Sequence, residues 1–104
     1  MTIPTLTPGE SQLIGSVFRR HPEIREVRLF GSRAKGTQHP GSDVDLALWG
    51  TLDALGAQAI AAELDELPLP YKFDVQAFAN ITYQPLREHV ERVGIVVHPE
   101  ASVG

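Results

Sequence analysis

In the segment Asp43-Val44-Asp45-Leu46-Ala47-Leu48-Trp49, apolar Val44, Leu46 and Leu48 recur at every second residue. That is the period of a β-strand, so these three share one face and Asp43 and Asp45 lie together on the other. Lys72-Phe73-Asp74-Val75-Gln76 repeats the pattern, with Phe73 and Val75 on one side and Asp74 opposite. Two strands built this way belong to a sheet that packs helices on one face and carries acids on the other.

The rest of the chain supplies those helices. Thr7-Pro8-Gly9-Glu10 is a helix start, with a Thr N-cap, Pro in the first turn and Glu placed to close a capping box. Leu13, Ile14, Val17 and Phe18 then follow at helical spacing, which predicts a helix over 8–20 ended by Pro22. Residues 25–30 read as a first strand running into Gly31, 43–49 as a second, and 52–66 as a helix with Leu52, Leu55, Ala59, Ile60 and Leu64 in a stripe. A third strand over 71–78, a helix over 83–93 ended by Gly94, and a closing strand over 95–97 complete the order. This order points to an α/β (α+β) fold, a sheet with helices packed on one face, in a single domain over 1–104.

Composition narrows the function. A formal charge of -4 does not suit phosphate neutralisation along a nucleic acid, so no direct nucleic-acid binding is expected. The absence of cysteine removes disulfides, thiolate metal sites and Cys nucleophiles. No stretch approaches the roughly 20 apolar residues of a membrane span, so the expected location is cytoplasmic.

Chemistry concentrates in Gly31-Ser32, ten residues, then Asp43-Val44-Asp45. A glycine at a strand end lets backbone approach a phosphate, and the following Ser adds a hydroxyl and an N–H. Two carboxylates about 7 Å apart at Cα on one strand face suit a hard, oxygen-seeking Mg²⁺ ion. Asp74 adds a third acid, and without a cation the three repel and raise one another's pKa.

Leu29-Phe30-Gly31-Ser32-Arg33-Ala34-Lys35-Gly36, Gly41-Ser42-Asp43-Val44-Asp45-Leu46-Ala47 and Pro85-Leu86-Arg87-Glu88-His89-Val90-Glu91-Arg92-Val93-Gly94 closely resemble the minimal nucleotidyltransferase family of the DNA polymerase β-like superfamily. The resemblance spans roughly residues 8 to 98. It implies a polymerase β-like fold, a short mixed β-sheet flanked by helices, with a nucleoside triphosphate, ATP above all, and two Mg²⁺ ions on the exposed sheet face. Asp43, Asp45 and Asp74 match the family's catalytic and metal-binding carboxylates, and Gly31 and Ser32 its triphosphate loop. The implied reaction transfers a nucleoside monophosphate and releases pyrophosphate. Members of this kind are often antitoxins paired with a helical HEPN-domain ribonuclease toxin, some of which add AMP to a tyrosine of that toxin. A core that uses nearly the whole chain leaves no room for an acceptor-binding domain, so the acceptor is expected on a partner protein in a hetero-oligomer. The closing Ile95-Val96-Val97-His98 lacks the Tyr of many relatives, and no catalytic group depends on it.

Arg33 and Lys35 follow the loop; Arg33 is expected to neutralise phosphate charge, and Lys35 is read as solvated helix surface. Trp49 lies too far along its strand from Asp45 for a metal-site role and is expected to pack. His21, His39, His89 and His98 have no ligand spacing and are assigned to surface or capping roles. Tyr71 and Tyr83 are read as packing residues. Two other functions compete with protein nucleotidylation: a binding-only antitoxin with a vestigial nucleotide site, and a transferase acting on a small molecule or an RNA end.

Overall fold

A computed structural model describes residues 3–99. Helix α1 (Pro8–Arg19) opens with the capping box: the Glu10 N–H donates to Thr7 Oγ1 at 3.1 Å and the Thr7 N–H to Glu10 Oε1 at 2.9 Å. Strand β1 (Ile24–Phe30) leads into the four-residue helix α2 (Ser32–Lys35), and a loop connects this to β2 (Val44–Gly50). Helix α3 (Ala54–Asp65) is capped by Asp53, which accepts from the Gly56 N–H at 3.0 Å. Strand β3 (Phe73–Ala77), a 3₁₀ turn (Phe78–Asn80), helix α4 (Gln84–Val93) and strand β4 (Ile95–His98) follow.

The sheet order is β3-β2-β1-β4. β1 is antiparallel to β2 and β4, and β2 and β3 are parallel, joined through α3. The sheet is therefore mixed, as the family resemblance implies. Among the described residues no helix is long and apolar enough to cross a membrane.

On one face, Val27, Leu29, Val44, Leu46 and Leu48 pack with Ile14, Val17 and Phe18 of α1 and Ile60 and Leu64 of α3. The opposite face is not left bare, as helices confined to one side would require. Phe30 and Ala47 are buried there with Phe78, Ile81 and Val90, and Trp49 and Leu86 pack on them. The cause is a mixed strand face: Ala47 and Trp49 share parity with Asp45, so the apolar Leu86–Val90 pair of α4 finds a seat beside the acids. Trp49 stacks on Phe78 at 4.4 Å, in the packing role expected of it. The β2–β3 side of this face, where the acids lie, stays open, with Asp74 exposed and Asp45 half-buried.

Candidate active site

Strand register assembles the site. In the ladder, Phe30 pairs with Asp45 across β1–β2, and Asp45 pairs with Asp74 across β2–β3. Asp45 thus sits between the end of β1 and Asp74 on the edge strand. Asp43 lies one residue before β2, exposed, rather than within the strand as the alternation suggested. The Asp45 carboxyl is pushed up from 3.8 to about 6, first by burial and then by the charges of Asp74 and Asp43, with Arg33 opposing. Asp74 and Asp43 therefore both act electrostatically on Asp45, as nearby like charges do.

Gly31 makes room for this arrangement. Its backbone (φ 76°, ψ -155°) lies in a region that essentially only glycine enters, and a Cβ there would overlap the Asp45 carboxylate. The chain end of β1 consequently runs directly against Asp45 before turning into α2. Ser32 opens that helix, where the first-turn backbone N–H groups have no partner within the helix. Gly36, at φ 77°, closes it in the left-handed conformation.

Arg33 does not serve as the expected phosphate contact. It is 4% exposed, and its guanidinium is occupied: Nε and Nη2 donate to the Ser42 carbonyl at 3.2 and 3.0 Å, and Nη1 donates to Thr5 Oγ1 at 2.8 Å. It also stacks 4.9 Å from the centre of the Tyr71 ring. The side chain turns inward because the residue preceding Asp43 offers a buried carbonyl that needs a donor. Arg33 thereby ties α2 to the loop that delivers Asp43 and Asp45. Lys35 remains exposed.

Ser42 and Tyr71 are site-supporting residues that sequence patterning did not single out for this task. The Ser42 hydroxyl accepts from the His39 N–H at 2.9 Å, and the Ser42 N–H donates back to the His39 carbonyl at 2.9 Å. His39 Nδ1 accepts from the Gly41 N–H at 3.1 Å, so this histidine helps to organise the loop. The Tyr71 hydroxyl donates to Glu10 Oε2 at 2.9 Å. Glu10 is held below its usual pKa, first by the Thr7 backbone N–H and then by Tyr71.

A cavity of about 410 Å³ lies behind this loop, lined by Thr5, Arg33, Gln38, His39, Pro40, Pro70 and Tyr71. None of the three carboxylates reaches it; they face the open side of the sheet. Among the described residues no three Asp, Glu, His or Cys side chains are already drawn together tightly enough to enclose an ion. The donor set still suits a hard cation, because it is made of carboxylate oxygens alone. Asp43 and Asp74 are exposed.

A strand-end glycine against an acidic sheet face, with two further acids beside it, defines a nucleotidyltransferase-type site. The family model for polymerase β nucleotidyltransferases matches residues 12–101, and the chain belongs to this family. It is 36% identical over 63 residues to the protein adenylyltransferase MntA of Shewanella oneidensis, a match that covers 55% of this chain and 45% of that one. The match thus spans less than half the length of that curated relative. A toxin–antitoxin crystal structure with AMP-PNP superposes with a TM-score of 0.71 at 27% identity, covering 84% of this chain and 71% of that one. At 21% identity, the complex of a tri-AMPylated Shewanella oneidensis HEPN toxin with its MNT antitoxin gives a TM-score of 0.64 over 85% of this chain and 68% of that one, a likeness of fold.

Proposed function

We propose that this chain transfers AMP from ATP, with Mg²⁺, to a hydroxyl of a HEPN-type partner protein and so acts as the antitoxin of a cytoplasmic toxin–antitoxin pair. The observation that carries this reading is Asp45 seated against Gly31 and paired with Asp74 across the ladder, its carboxyl raised to about 6 by burial and by its acidic neighbours Asp74 and Asp43. An arrangement so costly to fold suits a site that charge from a ligand relieves. The adenylyltransferase and the AMP-PNP complex among its relatives support the choice of nucleotide and of partner.

In this reading Asp43 and Asp45 supply oxygen donors on the triphosphate side, and Gly31 and Ser32 let the phosphates approach backbone N–H groups. Bound Mg²⁺ would supply charge neutralisation at the phosphates and polarise the reacting phosphoryl group. Asp74, on the edge strand, serves the acceptor side: it orients the incoming hydroxyl, takes its proton and shares in metal ligation. The acceptor oxygen forms a bond to the α-phosphorus as the bond to the bridging oxygen breaks, and pyrophosphate leaves. The test is label transfer from α-³²P-ATP to the co-expressed HEPN-domain protein, with and without Mg²⁺. Wild type that binds and neutralises its partner without ever labelling it overturns the catalytic reading.

A further inference from the structure

Asp74 differs from Asp43 and Asp45 in one respect that bears on how an acceptor reaches it. β3 ends the sheet, and no strand of the described residues pairs with its far side. The Val44 N–H donates to the Lys72 carbonyl at 2.8 Å, and the parallel register sets Val44 opposite Phe73 and Asp45 opposite Asp74. Successive residues of a strand direct their backbone groups to opposite sides, so Lys72, Asp74 and Gln76 bond toward β2 while Phe73 and Val75 present theirs outward. Among the described residues no backbone or side-chain hydrogen bond takes up those outward groups, and both residues are part-exposed.

We propose that this edge is the docking site of the acceptor protein, which adds an extended, hydroxyl-bearing segment to β3 as a fifth strand. The proposal rests on the transferase reading above and specifies how the acceptor is presented. A strand added there lies about 4.8 Å from β3 and sends alternate side chains onto the carboxylate face. The side chain opposite Asp74 then has its Cβ about 5 Å from that of Asp74, within reach for a serine, threonine or tyrosine hydroxyl. The far edge of the sheet offers no such geometry, because β4 lies beyond β1 and carries no acid.

Charge selects the occupant. A second copy pairing edge to edge would bring its own acidic face against Asp74, Asp45 and Asp43 in a chain that already carries a charge of -4. Like charges opposed across strands destabilise the pairing. The segment that fits carries a hydroxyl residue opposite Asp74 and no acid on that face. The exposed Asp74 on the free strand and the exposed Lys72 just before it are charges of the kind that discourage indiscriminate edge pairing.

The experiment uses the co-expressed complex of this chain with its HEPN-domain protein. Amide hydrogen exchange of wild type should slow at Phe73 and Val75 when the partner is bound; unchanged exchange at both, in a complex that forms, overturns the proposal. Val75→Pro removes one outward N–H while sparing every ladder bond to β2, a position that proline tolerates on an edge strand. Its melting point and its Mg·ATP response report whether it folds. A folded variant should lose at least tenfold in partner affinity and label partner more slowly to match, because the partner's carbonyl is left unpaired. Wild-type affinity and labelling in folded Val75→Pro overturn edge docking while leaving the transferase reading intact. Absence of any labelling by wild type overturns the transferase reading, and with it this one.

Discussion

Replacing Asp45 by Asn should make the free protein more stable at neutral pH, although it removes a central group of the site. A carboxyl held at about 6 rather than 3.8 resists ionisation when folded. Between those two values the folded chain binds more protons than the unfolded one, so stability falls as pH rises through the window and levels off above it. The full difference corresponds to about 3 kcal/mol as an upper bound. Asp45 is only half-buried, so water screens part of this and about 1–1.5 kcal/mol is the expected net cost. For a domain of this size that is a rise in melting temperature of about 5–10 °C for Asp45→Asn at pH 8. The assay is thermal unfolding by circular dichroism with EDTA present, at about pH 4 and about pH 8, where wild type and variant should differ at the higher pH and converge at the lower. Equal melting temperatures at both pH values, or a less stable variant at about pH 8, refute the reasoning that burial and its acidic neighbours oppose the charged form of Asp45.

Gly31→Ala sets a Cβ against the Asp45 carboxylate in backbone that excludes it, and should cost about 1–3 kcal/mol in urea unfolding and abolish the ATP response. Arg33→Ala, and Arg33→Lys nearly as much, should lose about 2–4 kcal/mol of stability because the Ser42 carbonyl and Thr5 hydroxyl lose their buried donors. A fully stable Arg33→Ala with weakened ATP binding instead restores the phosphate role. Mg²⁺ and ATP together should raise stability by about 2.7 kcal/mol at 100 times Kd, and either alone by less; a thermal-shift series without that synergy contradicts the assignment of the acidic face to a metal–nucleotide pair.

Strand alternation was enough to bring Asp45 and Asp74 to one sheet face, because a period of two leaves no freedom once Val44, Leu46 and Leu48 are buried. The capping box at Thr7 was equally legible, since its donors and acceptors lie within three residues of each other. Placement of α4 was not, because Ala47 and Trp49 look like members of the acidic face until Leu86 and Val90 are seen to cover them. Arg33 misled for a different reason. Its position beside a phosphate-type loop suggests a ligand, while the Ser42 carbonyl that claims it lies nine residues away and leaves no periodic trace. The edge position of β3, on which the acceptor's approach depends, follows from sheet order and has no signature in local sequence.

The most direct test of the account compares wild type with Asp74→Asn in transfer of α-³²P-AMP to the co-expressed HEPN-domain protein. Asn keeps the shape of the side chain and loses the charge that the acceptor proton requires. Binding of Mg·ATP should survive within about tenfold, or about 1.4 kcal/mol. Transfer should fall by about 10² to 10⁴. Labelling of the partner by Asp74→Asn at the wild-type rate would contradict the role of Asp74 and the acceptor side built upon it.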